Sequence, residues 1–398
     1  GYTKYNSTAG IAELRAVIAE DAGRRRGITI GPEQVLVSPG AKPNLFFPTL
    51  ALVEQGDEVI YPNPGFPSYE AMIGAAGAIA VPVPLLEEND FCVNLDLLEG
   101  LVNARTKLII LNSPSNPTGG VLPAAALERI AATAKKHDCW VISDEIYTRL
   151  VFDGQKAPSI AALPGMAERT IIMDGFSKTY AMTGWRLGYG IMPEPLARRV
   201  ELLFTHALGS TAHFTQIAGV EALTGPQDFV DAMVAKYQRR RDRIADGLNA
   251  LPGVNCRRPQ GAFYVFPNLE SFGISSAEMA ELLLEEAGVA LLPGTDFGAY
   301  GEGYLRLSYA HSIANIEEAL ERLERVLRRR SGCANLCCYR EIQGSCTEIR
   351  SVLSEASLII SLFILQTHDQ GNAAVGNSMP SRFLGNFTME PSQNSDGS

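Results

Sequence analysis

The sequence has no long apolar run, no paired-cysteine spacing and no excess of positive charge, and each absence removes a class of function. Its best apolar stretch, SLIISLFIL at 357–365, is about half of the roughly 18 residues that a membrane-crossing helix needs. Lys and Arg total 34 against 44 Asp and Glu, a formal net charge of −10, so a polyanion would meet no concentrated basic face. The dense run Arg239, Arg240, Arg241 falls in a helical pattern with Asp242 and Asp246 close by, and reads as a solvated helix face. Cys92, Cys139 and Cys256 stand far apart, while Cys333, Cys337, Cys338 and Cys346 crowd a short later region. Neither group has the C-x-x-C pairs or His partners of a zinc site, so no metal is expected. The three isolated cysteines look like reduced, buried thiols, which suits a cytoplasmic protein. The opening GYTKYNSTAG has neither a start Met nor a charged-then-apolar leader, so the chain reads as a fragment whose beginning is missing.

What is present is a long alternation of helical and strand patterns. IAELRAVIAEDAGRRRG has helical apolar spacing with Gly27 as its stop, and NLFFPTLALVEQG reads as a helix closed by Gly56. QVLVSPG, DEVIYPNP, TKLIILNSPSNPTGG, HDCWVISDEIY and RTIIMDGFSK are short apolar runs that end in turn chemistry. Such units predict an α/β fold, a mostly parallel sheet sandwiched by helices with ligands at the strands' carboxyl ends. After about residue 222 the pattern changes to a long polar helix, short strands and a last helix, NIEEALERLERVLRRR. The organisation expected is a large domain over residues 1–222, truncated at its start, a smaller α+β domain over 223–330, and a tail over 331–398. That tail is rich in Ser, Asn, Gly and Cys and reads as largely disordered. Its sequon at Asn386 is a chance match.

Chemistry concentrates at the ends of the runs. Lys178 and Arg186 are the two charges of GFSKTYAMTGWRLG. An amine held among apolar and aromatic neighbours suits Schiff-base chemistry, although an isolated loop lysine is ordinarily a surface residue. Asp144 closes WVISDEIY, where a buried carboxylate needs a cationic partner; a helix N-cap is the simpler role for one such Asp. The pyridine nitrogen of pyridoxal phosphate would be such a partner, held charged so that the ring acts as an electron sink. Tyr147 and Asn116 would donate to the ring's phenolic oxygen, although singly each is an ordinary core or turn group.

The runs SPSNPTGG, SDEIYTRLVFDG, GFSKTYAMTGWRLG and YLRLSYA, in this order and at these separations, resemble the class I and II aminotransferases, pyridoxal phosphate enzymes of fold type I. The resemblance covers roughly residues 2 to 328. It implies that Lys178 binds the cofactor covalently and shuttles the substrate's α-proton, that Asp144 pairs with the ring nitrogen, and that Asn116 and Tyr147 hold the phenolic oxygen. It further implies that Arg186, Ser177 and the turn Gly40, Ala41, Lys42 contact the cofactor, and that Phe66 stacks on its ring. Arg306 takes the substrate α-carboxylate in a bidentate fork. Tyr5 matches a tyrosine that reaches the phosphate of a neighbouring subunit, so a homodimer with shared active sites follows.

Gly175 stands where many members have a phosphate-binding Ser, and the family's residues before Tyr2, including a substrate-side Gly and a lid, are missing. The stretch FTHALGSTAHF lacks the second Arg of dicarboxylate-specific relatives; Lys42 is the alternative that the resemblance offers, since GAK resembles the GGK of bacterial aspartate aminotransferases that lack that Arg, and a plain helix-start residue is its other reading. His206 and His213 flank that stretch and read as structural. The expected activity is amino-group transfer from an L-amino acid to a 2-oxo acid, with the aspartate and 2-oxoglutarate type placed ahead of aromatic or small neutral amino acids. A carbon–sulfur β-lyase of the same fold is the enzymatic alternative, and a sensor domain fused to a DNA-binding module is the non-catalytic one.

Overall fold

The computed structural model of the protein describes residues 1–340, with side-chain surroundings to residue 330. The first helix, Ala12–Arg26, stops at Gly27, whose φ of 70° is left-handed and whose N–H caps the Gly23 carbonyl. It buries Leu14, Ile18 and Ala22 against strands lined by Val35, Val37, Ile172 and Ile191. Each such Leu or Ile contributes about 1.5–3 kcal/mol.

Seven strands form the large sheet: β1 (Val35–Ser38), β2 (Glu58–Asn63), β3 (Ile79–Pro84), β4 (Thr106–Asn112), β5 (Trp140–Asp144), β6 (Thr170–Gly175) and β7 (Gly188–Ile191). Their order is β1-β7-β6-β5-β4-β2-β3. Only β7 runs against its neighbours, pairing antiparallel with both β1 and β6, while the remaining pairs are parallel. The parallel strands read as continuous apolar runs because helices cover both faces. Six strands therefore end along one edge, which places the residues after Ser38, Asn63, Asn112, Asp144 and Gly175 side by side.

A second, antiparallel sheet has the order β8-β10-β9, from β8 (Tyr264–Val265), β9 (Leu292–Pro293) and β10 (Leu305–Ser308). Helices Asp228–Asn249, Ser276–Ala287 and Ile313–Arg340 accompany it. Ser276–Ala287 starts at a capping box of Ser275 and Glu278. Tyr147, Leu150 and Phe152, just past β5, pack into the core of this half.

Four expectations need correction. The helix expected to close at Gly56 spans Pro43–Leu52, because Asp57 accepts from the Glu54 N–H and closes a separate turn. Arg241 is not part of a solvated face: it is 2% exposed, forked onto Asp153 and stacked over Phe152. Of the three body cysteines, Cys139 and Cys256 are buried but Cys92 is half-buried. The last helix continues to Arg340, beyond residue 330, where the tail was expected to begin; the rest of that segment, with Cys346 and Asn386, lies outside the described residues. Among the described residues no helix is long and apolar enough to cross a membrane.

Candidate active site

Asp144 is the last residue of β5, paired in register with Asn112 at the end of β4. The Asn112 side-chain amide donates to the Asp144 carbonyl at 3.2 Å and its Oδ1 accepts from the Asn116 N–H at 2.8 Å, which fixes the turn carrying Asn116. The Asp144 carboxylate is buried. It accepts from the Tyr69 hydroxyl at 2.6 Å and from the Ile146 N–H at 3.3 Å. Burial pushes this carboxyl up to about 7, against the pull of those two hydrogen bonds and with the help of the Asp174 and Glu145 charges. The cation that such a group calls for is not given by these partners, a phenol and a backbone N–H.

The aromatic side of the site comes from the turn after β2. Phe66 packs edge-on to Tyr69 with ring centroids 5.7 Å apart, and the Lys42 Nζ lies 5.1 Å from the Phe66 ring. On the opposite side, Lys178 sits on a single helical turn, Phe176–Thr179, directly after β6. Its Nζ lies 5.1 Å from the Phe263 ring and 5.9 Å from the Tyr147 ring. Ser177 shares that turn and is half-buried.

A third group is a turn without side chains in the way. Gly40 has φ 85°, and a Cβ on it would lie 2.2 Å from the Arg186 Nη2, so the guanidinium lies directly on the turn. Gly188 likewise leaves room for the Ala41 N–H, which a Cβ there would meet at 2.4 Å. With the helix Pro43–Leu52 starting just beyond, these backbone N–H groups and the Arg186 charge form an anion cradle. At Gly175 a Cβ would meet the Gly188 Cα at 2.9 Å, so the two strands approach closely here.

Arg306, from β10, completes the site from the smaller sheet. Its Nη1 donates to the Asn116 Oδ1 at 3.0 Å. Its Cζ lies 4.4 Å from the Tyr264 ring and 4.6 Å from the Phe297 ring. Its Nε is buried without a hydrogen-bond partner among the described residues. Accepting through Oδ1 leaves the amide nitrogen as the group with which Asn116 donates.

The structure thus brings together Lys42, Phe66, Asn116, Asp144, Tyr147, Lys178 and Arg306 through a continuous set of contacts, with Gly40, Ala41 and Arg186 forming the cradle at the start of the Lys42 helix. Tyr5 is not brought in: it is 97% exposed. His213 stacks near Tyr2, and neither it nor His206 enters these contacts. Sequence reading missed Tyr69, Phe263, Tyr264, Phe297 and Asn112. Tyr69 alone had a local signal, three residues after Phe66 at the start of a helix, the spacing that puts two rings on one face.

The donor set fits pyridoxal phosphate on grounds internal to the structure. An unmatched buried acid suits a cationic ring nitrogen, an amine over aromatic rings suits an aldehyde, and a glycine turn under a guanidinium suits a phosphate. The orphaned Nε of Arg306 is a donor in need of an acceptor such as a carboxylate.

The fold and the chemistry of this donor set are those of a pyridoxal phosphate-dependent transferase of fold type I. The sequence profile of aminotransferase class I and II matches residues 1–323, and the chain belongs to that family: it is a pyridoxal phosphate-dependent transaminase. It is 42% identical to an aspartate aminotransferase of Pyrococcus abyssi over 83% of this chain and 85% of the relative. It is 40% identical to aromatic-amino-acid aminotransferase 2 of Thermococcus litoralis, again over 83% and 85%. The crystal structure of an aromatic aminotransferase from Pyrococcus horikoshii superposes with a TM-score of 0.81 at 41% identity, covering 83% of this chain and 89% of that one. The carbon–sulfur lyase alternative is not favoured, since these relatives are all named as aminotransferases.

Proposed function

We propose that this chain transfers an amino group between an acidic L-amino acid and a 2-oxo acid, of the aspartate and 2-oxoglutarate type, in a ping-pong cycle. The observation that carries the substrate class is Lys42, whose ammonium stands over Phe66 on the edge of the site. A side-chain carboxylate can pair with it while the α-carboxylate pairs with Arg306. Relatives named as aspartate aminotransferases support this reading.

When bound, pyridoxal phosphate supplies the electron sink that takes up charge from the substrate α-carbon. The roles proposed for the chain's own residues follow from their chemistry. Lys178 Nζ holds the cofactor, then takes and returns the α-proton. Asp144 keeps the ring nitrogen charged, Tyr147 and Asn116 donate to the phenolic oxygen, and Phe66 covers one ring face. Arg186, Ser177 and the Gly40–Lys42 turn hold the phosphate, and Arg306 orients the substrate carboxylate. Tyr5, fully exposed here, contributes to the site of a second copy, so the working unit is a homodimer. We further assign the large domain to residues 1–222 and the small one to 223–330, and place the enzyme in cytoplasmic amino acid biosynthesis.

A screen of half-reactions, following cofactor absorbance as individual amino acids are added, tests the substrate. Aspartate and glutamate are expected to react, with KM raised about tenfold or more in Lys42→Ala, the loss of one charge-assisted contact. Fast reaction of phenylalanine or tyrosine with no response to acidic amino acids would overturn the assignment. Cross-linking or sedimentation showing only monomer in the holoenzyme would overturn the shared site.

A further inference from the structure

Tyr264 opens β8 and is buried, yet its position does more than fill the core. Its hydroxyl meets the Tyr147 hydroxyl at 3.1 Å, with either oxygen able to donate. Its ring lies against the Arg306 guanidinium at 4.4 Å, and the Phe297 ring lies 4.6 Å from the same guanidinium. Tyr264 therefore touches both a group proposed to contact the cofactor and the group proposed to contact the substrate.

A phenol carries one proton. In the Tyr147–Tyr264 pair, one hydroxyl donates to the other and keeps its own acceptor sites, while the second has a proton left over. If Tyr147 donated to Tyr264, it would have none to give to a ligand oxygen. When an acceptor oxygen occupies the site, the favourable arrangement is Tyr264 donating to Tyr147 and Tyr147 donating onward, a chain in which each bond polarises the next. Burial holds the Tyr147 hydroxyl well above the usual tyrosine range, so it stays a protonated donor.

We propose that Tyr264 is a positioning residue with two separable parts: its hydroxyl donates to Tyr147 and so strengthens the bond that Tyr147 gives to the cofactor's phenolic oxygen, and its ring holds Arg306 at the angle that receives the substrate carboxylate. This rests on the roles given above to Tyr147 and Arg306. It adds a link between the two halves of the site, since β8 and β10 are paired at Ser308 and Tyr264.

The test uses the holoenzyme and the variants Tyr264→Phe, Tyr264→Leu, Tyr147→Phe and the double Tyr147→Phe/Tyr264→Phe. A donor on the phenolic oxygen draws charge from it and lowers the proton affinity of the nitrogen bonded to Lys178, so the pH midpoint of the cofactor's absorbance change reports the donor. Tyr147→Phe raises that midpoint by up to about one pH unit, the size of one neutral hydrogen bond, and Tyr264→Phe raises it by only about a few tenths of a unit, the part of that bond that polarisation along the chain contributes. The double variant shows no rise beyond that of Tyr147→Phe, the non-additivity expected of one chain. For the same reason kcat falls about twofold in Tyr264→Phe while KM holds, because the ring remains. In Tyr264→Leu KM also rises, about three- to tenfold, as one stacked face of Arg306 is lost. A wild-type midpoint in Tyr264→Phe beside a shifted one in Tyr147→Phe overturns this inference alone, as does full additivity in the double variant. An unmoved midpoint in Tyr147→Phe overturns the reading of Tyr147 on which it stands.

Discussion

Asp144→Asn in the cofactor-stripped protein separates the cost of a buried acid from its use. Burial pushes the Asp144 carboxyl to about 7 from an ordinary value of 3.8, so the folded chain binds this proton more tightly than the unfolded chain does. The stability linked to that proton is fully present below the unfolded value and is lost as pH rises toward the folded one. At about 1.4 kcal/mol per pKa unit, the ionised form costs the folded apoprotein on the order of 4 kcal/mol above neutrality, with roughly 2 to 3 kcal/mol of that appearing between about pH 5 and about pH 8. Asparagine does not titrate and still accepts from Tyr69. Urea unfolding of the two apoproteins, followed by far-ultraviolet circular dichroism, should therefore show Asp144→Asn gaining on the wild type as pH rises through this window. Added pyridoxal phosphate should reverse the order, because only the carboxylate gains a cationic partner. Parallel pH–stability curves for the two apoproteins would refute the claim that Asp144 is an unmatched buried acid.

Four further outcomes follow from the same geometry. Borohydride reduction of the holoenzyme should fix the cofactor on the peptide carrying Lys178, and Lys178→Ala should abolish both the adduct and turnover, read by mass spectrometry and half-reaction rates. Gly40→Ala places a methyl against the Arg186 guanidinium at a left-handed φ of 85°, which costs about 1 kcal/mol of strain. Cofactor affinity, measured by equilibrium dialysis, should fall by more than the loss in thermal stability. Arg26→Met leaves Glu145 and Asp174 without the guanidinium that bonds them at 2.7 and 3.0 Å, a loss of about 3–5 kcal/mol expected for a broken buried ion pair; urea titration measures it. Arg241→Met, by contrast, strands the half-exposed Asp153, and a smaller loss in the same titration is expected because water can solvate that carboxylate.

What the sequence made legible was local. Turn chemistry after each apolar run marked the strand ends, and because six strands share a direction those ends form one edge, along which Lys178, Asp144 and Asn116 lie. Gly27 stopped its helix as expected because only a left-handed residue closes that turn. The groups that escaped notice are joined across long separations: Tyr69 to Asp144 over 75 residues, Tyr147 to Tyr264 over 117, Arg306 to Asn116 over 190. No periodicity encodes which phenol meets which acid once two sheets pack. Arg241 was misjudged for a related reason. In this run of three arginines Arg239 is exposed, Arg240 is half-buried over the Tyr237 ring and Arg241 turns inward, and the acid that receives it, Asp153, lies 88 residues away.

The two neighbouring acids of SDEIY show how one strand end serves both stability and chemistry. Asp144 and Glu145 are both buried, at 3% and 2% exposure, and successive residues leaving a strand point to opposite sides. Glu145 turns toward the first helix, where Arg26 bonds it at 2.7 Å and Ser143 and Ser159 donate to its other oxygen. Arg26 also bonds Asp174, and Asp174 in turn accepts from the Tyr189 hydroxyl and the Gly175 N–H. That network is complete within the chain, and it fixes the ends of β5 and β6, from which Asp144 and Lys178 project. Asp144 turns the other way and finds only a phenol and an N–H, so its charge is left for a ligand to neutralise. A buried charge satisfied by the fold contributes rigidity, whereas a buried charge left unsatisfied creates affinity for whatever cation completes it. If the Arg26 network serves as the frame for Asp144, then Arg26→Lys, which keeps the charge but loses the fork that bridges Glu145 and Asp174, should weaken cofactor binding as well as stability. An Arg26→Lys protein that loses stability yet binds pyridoxal phosphate as tightly as the wild type would show that the network holds the sheet together without positioning the site.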